Sequence, residues 1–270
     1  MSEQPKPGKK AAERMGANAS VDALASRALS VVASRSSKPG LPMSVARLQK
    51  LHDAAANGRT NTVPDVVKEM LEDGISAEVI AVNYIPEVAR QMGEEWCEDE
   101  LSFGHVTIGT ARLQSALRVL GKDWWLDGRN GDGANDKGVV VVVAQDAYHT
   151  LGASILCGQL RQFGLSVRLA MGTSPEDLKR SLHGSTFDAI LLSASSAESL
   201  DFLREYVETI RATVSGQPPI VVGGGILDQE ADVKTAIGVD FATKDPFEAL
   251  EFCGLTKNNR NRTSKTGQRG

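Results

Sequence analysis

The sequence predicts an α + α/β protein, a four-helix bundle followed by an open five-stranded parallel sheet. Three observations carry that prediction. Apolar residues recur at helical spacing from Val45 to Leu120. The stretch 128–137 then holds three glycines and no large apolar side chain, the composition of a boundary between folding units. Beyond it, short β-branched runs alternate with helical patterns, as in a parallel sheet covered on both faces.

Residues 1–40 are polar and rich in Pro, Gly and Lys, so they read as a disordered basic segment. They leave room for one short helix, capped by Ser20 and running through Val32. The bundle occupies 41–127. Its stripes are Val45, Leu48 and Leu51; Val63, Val66, Val67, Met70 and Leu71; Val79, Ile80, Val82, Ile85, Val88, Ala89 and Met92; and Val106, Ile108, Ala111, Leu113, Leu117 and Leu120. Turn and cap residues separate them at Asn57-Gly58, Asp73-Gly74-Ile75-Ser76 and Glu98-Asp99. Connections this short make antiparallel neighbours. Pro86 falls inside the third helix and should kink it or interrupt its hydrogen-bond ladder.

After the linker at 128–137, the second unit spans 138–255. Val139 to Ala144 is an unbroken apolar run suited to a strand buried on both faces. The helix that follows ends at Gly164. Ser166–Ala170, Phe187–Leu192, Pro219–Val222 and Val239–Ala242 are the remaining strands. Helices open at Ser174-Pro175-Glu176-Asp177, near Glu198 and at Pro246. Right-handed crossovers in a sheet of this size favour the flavodoxin-like order 2-1-3-4-5. This Rossmann-type arrangement places ligands at the carboxyl ends of its strands. Residues 256–270 read as a disordered basic tail.

Composition narrows the function classes. Hydrophobic residues make up 41% and charged residues 24% of the chain, as in ordinary globular proteins. No apolar run nears the roughly 18 residues that span a bilayer, so no membrane partner is expected. The three scattered cysteines, Cys97, Cys157 and Cys253, point to a reducing compartment, and the expected location is cytoplasmic. The net charge of −4 hides an asymmetry: residues 1–40 and 256–270 together hold twelve Lys/Arg against three Asp/Glu, which leaves 18 basic and 31 acidic residues between them. Such a body is a poor nucleic-acid surface. DNA contact is therefore limited to a weak one through the basic ends, and such ends are more often simply solvated.

In the order 2-1-3-4-5, strands 1, 3 and 4 are neighbours, and three loops meet at one sheet edge. They are Asp146-Ala147-Tyr148-His149-Thr150-Leu151-Gly152, Ser193-Ala194-Ser195-Ser196 and Gly223-Gly224-Gly225. Singly they read as a structural histidine, helix caps and a tight turn. Together they outline a site. An imidazole there can ligate a metal while a partner holds its second nitrogen. Gly152 lets a bulky group pass the backbone, the serine hydroxyls suit a polar tail, and the glycines clear a channel. No paired carboxylates and no nucleophile–base set fall on that edge, which argues against an enzyme acting alone.

The second unit resembles the cobalamin-binding domains of methionine synthases, corrinoid proteins and methylmalonyl-type mutases. Their motif is Asp-x-His-x-x-Gly, then Ser-x-Leu or Ser-x-Thr, then Gly-Gly. His149-x-x-Gly152, Ser193 and Gly223-Gly224 match it. Ser195 replaces the Leu or Thr, and Ala147 stands at the aspartate position, with Asp146 one residue early. The resemblance implies cobalamin as cofactor, in adenosyl, methyl or hydroxo form. It implies His149 as the cobalt ligand and a nucleotide tail lodged among Gly152, Ser193, Ser195, Gly223 and Gly224.

Met92 to Trp96 and Asp99 to Phe103 resemble the helical cap that precedes such domains, which implies that Trp96 covers the upper corrin face; a bundle-core role is the alternative. The Glu-His pair that follows this Trp in light-sensing repressors is absent. His105 stands in that region, either as a helix-start residue or as a second cobalt ligand. The pattern Trp-x-x-Asp-x-x-Ser-Phe-x-x-Val-Thr-Ile-Gly-x-x-Arg-Leu, from Trp96 to Leu113, is similar to the cobalamin-dependent photosynthesis regulators of the AerR/PpaA family, and the similarity runs over 43–255. It implies a light-responsive antirepressor of photosynthesis genes that acts through a DNA-binding repressor of the PpsR/CrtJ type. The alternatives are a corrinoid methyl-carrier subunit of a methyltransferase and a flavodoxin-fold module for haem or a nucleotide.

Overall fold

The computed structural model describes residues 43–58, 62–121, 124, 137–145, 150–196, 198–229 and 232–256. The expected Ser20–Val32 helix, residues 128–136 of the linker, the segment 146–149 and the tail from 257 lie outside the described residues.

The bundle is built from α1 (Val45–Ala56), α2 (Thr62–Glu72), α3 (Ala77–Val79), α4 (Ile85–Cys97) and α5 (Phe103–Ala116). A π-helical turn, Ile80–Tyr84, joins α3 to α4 and makes one rod of the third expected helix. That turn accommodates Pro86, which brings no N–H to the ladder. The wider turn lets the Ile85 N–H donate to the Ile80 carbonyl, and Ile80, Val82, Ile85, Val88 and Met92 all stay buried. Ser76 caps α3 by accepting the Val79 N–H at 3.2 Å, and Ser102 caps α5 by accepting the His105 N–H at 3.3 Å. Gly109 lets α5 close on its neighbours. A Cβ there would stand 2.0 Å from Met92 Cε and 3.1 Å from the Ala55 carbonyl oxygen.

The second unit holds β1 (Gly138–Ala144), β2 (Ser166–Thr173), β3 (Ala189–Ser193), β4 (Ile220–Gly223) and β5 (Phe241–Ala242). Their order is β2-β1-β3-β4-β5, with every pairing parallel. The helices are α6 (Thr150–Gln162), α7 (Pro175–Leu182), α8 (Leu200–Thr213), α9 (Val233–Ile237) and α10 (Pro246–Phe252). The helix expected near Glu198 starts at Leu200, because Ser199 caps it by accepting the Phe202 N–H. The valine run serves two cores. Val140 and Val142 pack with Leu178, Leu203 and Tyr206, while Val139, Val141 and Val143 pack with Ala153, Cys157 and Leu160. Each such burial contributes about 1.5–3 kcal/mol.

The two units share α6. Leu151 and Ile155 belong to the bundle core together with Trp124, while Ala153, Cys157 and Leu160 of the same helix lie against the sheet. Gly158 receives the Trp124 indole, since a Cβ there would fall 2.2 Å from Cε3. Among the described residues no helix is long and apolar enough to cross a membrane.

Candidate functional site

Strand register brings the predicted loops together. Val143 pairs with Ser193, and Ser193 with Gly223, so β1, β3 and β4 end side by side. His149 lies outside the described residues, as do Asp146 and Ala147. The flanks of that segment are fixed. The Gln145 N–H donates to Tyr206 Oη at 2.9 Å, and Tyr206 Oη donates to the Thr173 carbonyl at 2.5 Å. One fully buried hydroxyl thus ties together the carboxyl ends of β1 and β2. Thr150 opens α6, and Gly152 sits half-buried in its first turn.

After β3, Ser193 is half-buried, while Ser195 and Ser196 are buried at 5% and 8% exposure. The Ser195 N–H donates to Glu198 Oε2 at 2.9 Å. Burial pushes the Glu198 carboxyl up to about 7, against the opposing pull of that N–H. Ser196 Oγ, Glu198 Oε1 and Thr173 Oγ1 are buried with no hydrogen-bond partner among the described residues. Unsatisfied buried polar atoms are uncommon in native proteins. Their concentration at the ends of β2 and β3 fits an edge shaped to receive a polar ligand.

Gly224 has φ +100°, and a Cβ on it would stand 2.3 Å from the Ala194 carbonyl oxygen. A Cβ on Gly223 would stand 2.9 Å from the Thr243 carbonyl oxygen. Gly224 therefore lets the β4 loop lie directly on the β3 loop, where the Ile226 N–H donates to the Ala194 carbonyl, while Gly223 lets the end of β4 close on the residue after β5.

On the bundle side, Trp96 is half-buried and stands outside the core cluster. Its ring centroid is 5.6 Å from that of Phe103, which is 65% exposed. Ile108 is 54% exposed and continues an exposed stripe along α5 with Thr107 and Ala111. The far end of α5 reaches α6: Thr150 Oγ1 donates to Gln114 Oε1 at 3.4 Å, and Gln114 Nε2 donates to Ser154 Oγ at 3.5 Å. The apolar stripe and the sheet edge are thus linked through the helix that follows the 146–149 segment. That combination suits a large, flat, partly apolar cofactor with a polar arm.

His105 is exposed at the start of α5, with Nδ1 2.7 Å from the capping Ser102 Oγ. His52 stands outside every motif of the sequence, yet it is buried and its Nε2 lies 2.9 Å from the Glu95 carboxylate. The available signal was its place four residues after Leu48, on the inner face of α1. In the sequence, Glu198 signals only the start of a helix.

A family model described as a B12 binding domain matches residues 137–251, and a second with the same description matches 47–120. A 20.5 kDa protein of the bchF-crtJ intergenic region of Rhodobacter capsulatus is 33% identical over 171 residues, 63% of this chain and 88% of that protein. The monomethylamine corrinoid protein of Methanosarcina barkeri superposes with a TM-score of 0.62 at 16% identity, over 78% of this chain and 97% of the other. At that identity the likeness is one of fold.

Proposed function

This chain belongs to the family of B12-binding proteins, and on that premise we propose that it is a light-responsive antirepressor of photosynthesis genes acting through a DNA-binding repressor of the PpsR/CrtJ type. Its cofactor is cobalamin. The observation that carries the regulatory reading is the 33% identical relative, whose gene lies between bchF and crtJ.

Bound cobalamin supplies a cobalt–carbon bond that light can break. His149 is the residue proposed to hold the cobalt from below. Gly152, Ser193, Ser195, Gly223 and Gly224 would receive the nucleotide tail, with the Ser196, Glu198 and Thr173 oxygens that have no partner among the described residues available to it. Trp96, Phe103 and Ile108 would cover the cofactor from the bundle side, and His105, at the start of α5, would be a candidate second ligand. A change in the contacts of these side chains would shift the population of α5 conformers, and that shift would be what the repressor reads. The basic ends add a weak, salt-sensitive hold on DNA.

The test is an absorption spectrum of the cobalamin-loaded protein before and after illumination, paired with repressor binding in dark and light. A light-induced spectral change with altered repressor binding is expected, and His149→Ala should lose the bound-cobalamin spectrum. No response in either measurement would refute the regulatory role. The second reading, a corrinoid methyl carrier, draws on the fold shared with the Methanosarcina barkeri corrinoid protein. Methyl transfer from the loaded chain to a methyltransferase's acceptor would favour it. Hemin binding in place of cobalamin would favour a haem module.

A further inference from the structure

His52 occupies the inner face of α1 at 6% exposure. Its Nε2 stands 2.9 Å from each oxygen of the Glu95 carboxylate. Its Nδ1 is buried with no hydrogen-bond partner among the described residues, the Asp53 carboxylate being 3.8 Å away. A buried polar pair of this kind is a weak source of stability compared with apolar side chains of the same volume. Leu51 and Ala55 on the same helix already fill the core. Mere adhesion between helices therefore explains the pair poorly.

The surroundings of Glu95 explain it better. Its backbone carbonyl accepts the N–H of Glu100 at 2.7 Å and of Leu101 at 3.1 Å, closing the turn between α4 and α5. The next residue is Trp96, whose carbonyl accepts the Asp99 N–H at 3.1 Å, with Asp99 at φ +60°. Phe103, at the other end of the turn, meets the Trp96 ring at 5.6 Å. The last turn of a helix frays readily. Here it is pinned at one residue, by the side chain to α1 and by the carbonyl to the turn that carries both rings.

We propose that the His52–Glu95 pair is a positioning couple that holds the Trp96–Phe103 rings over the upper face of bound cobalamin, and so sets how readily a small ligand reaches the cobalt from above. The couple acts through Trp96, and the proposal rests on the upper-face role given to that residue. Cyanide is the probe: full-length protein is loaded with hydroxocobalamin, and the rate of cyanide substitution is followed by visible absorbance alongside a thermal melt.

Trp96→Ala should accelerate substitution. His52→Leu and Glu95→Ala should each accelerate it about tenfold, the effect of ~1.4 kcal/mol of lost bias. His52→Gln keeps a side-chain N–H for Glu95 and should stay near the wild-type rate. The Trp96→Ala/His52→Leu double variant should be no faster than Trp96→Ala alone. A His52→Leu protein with a lowered melting temperature and a wild-type rate, while Trp96→Ala is fast, overturns the couple and leaves the Trp96 role standing. A wild-type rate in Trp96→Ala overturns both. Glu95→Ala retains the turn carbonyl and carries the test if His52→Leu fails to fold.

Discussion

Glu198 has the most consequential side chain that the sequence did not single out. Its carboxyl titrates at about 7 in the folded chain against an ordinary 4.5 because burial disfavours the charged form. The folded chain therefore holds a proton that the unfolded chain releases. Stability is full below 4.5, falls as pH rises toward 7 and levels off above it. Glu198→Gln keeps an acceptor for the Ser195 N–H and should flatten that slope, gaining roughly 1–3 kcal/mol at pH 8 and little at pH 5; urea melts at both values check it. Gly224 fails in the opposite direction. Gly224→Ala forces a Cβ to within 2.3 Å of the Ala194 carbonyl oxygen at φ +100°, so we expect about 2–4 kcal/mol of lost stability and weakened cobalamin binding by titration. Position 224 was legible in sequence because a glycine run after a strand is a recognisable signal. Glu198 and His52 were not, since an isolated acid or imidazole carries no pattern until tertiary contacts bury it.

Among the elements, periodicity revealed those long enough to repeat. Three of the five expected strands overlap the observed ones by four residues or more, and α10 opens at Pro246 as expected. α9 and the 3-10 turn Gly225–Asp228 were unread, because four or five residues hold little more than one helical turn and leave no stripe to count. The π-helical turn shows the limit of local rules. Pro86 announced an interrupted ladder, but whether the rod would bend or widen depended on keeping Ile85, Val88 and Met92 in the core. Capping is the finer lever. Ser102→Ala removes the acceptor for the His105 N–H and the partner of its Nδ1, so α5 should lose about 1 kcal/mol. Hydrogen exchange should then rise in the first turn of α5 while α4 stays protected.

For the whole molecule, the order β2-β1-β3-β4-β5 was legible because crossover handedness and strand count leave few alternatives. The junction between the units was not. Nothing in the sequence of α6 announces that Leu151 and Ile155 face a different core from Ala153 and Cys157; only the packed structure divides the helix. Gly158→Ala tests that junction, because its Cβ would collide with the rigid Trp124 indole 2.2 Å away. The strain should cost about 1–3 kcal/mol, read as a lowered midpoint in a urea melt.

Because α6 carries oily side chains on both flanks, one for each neighbour, the bundle is not a hatch that can swing clear. Opening it would strip Leu151 and Ile155 of their cover and wet a core. What remains available is a small roll or slip about that common axle, with both sides kept dry. Any message leaving the corrin would then travel as torsion in a joined body, and a partner would have to sense a change of tilt rather than a newly bared cleft.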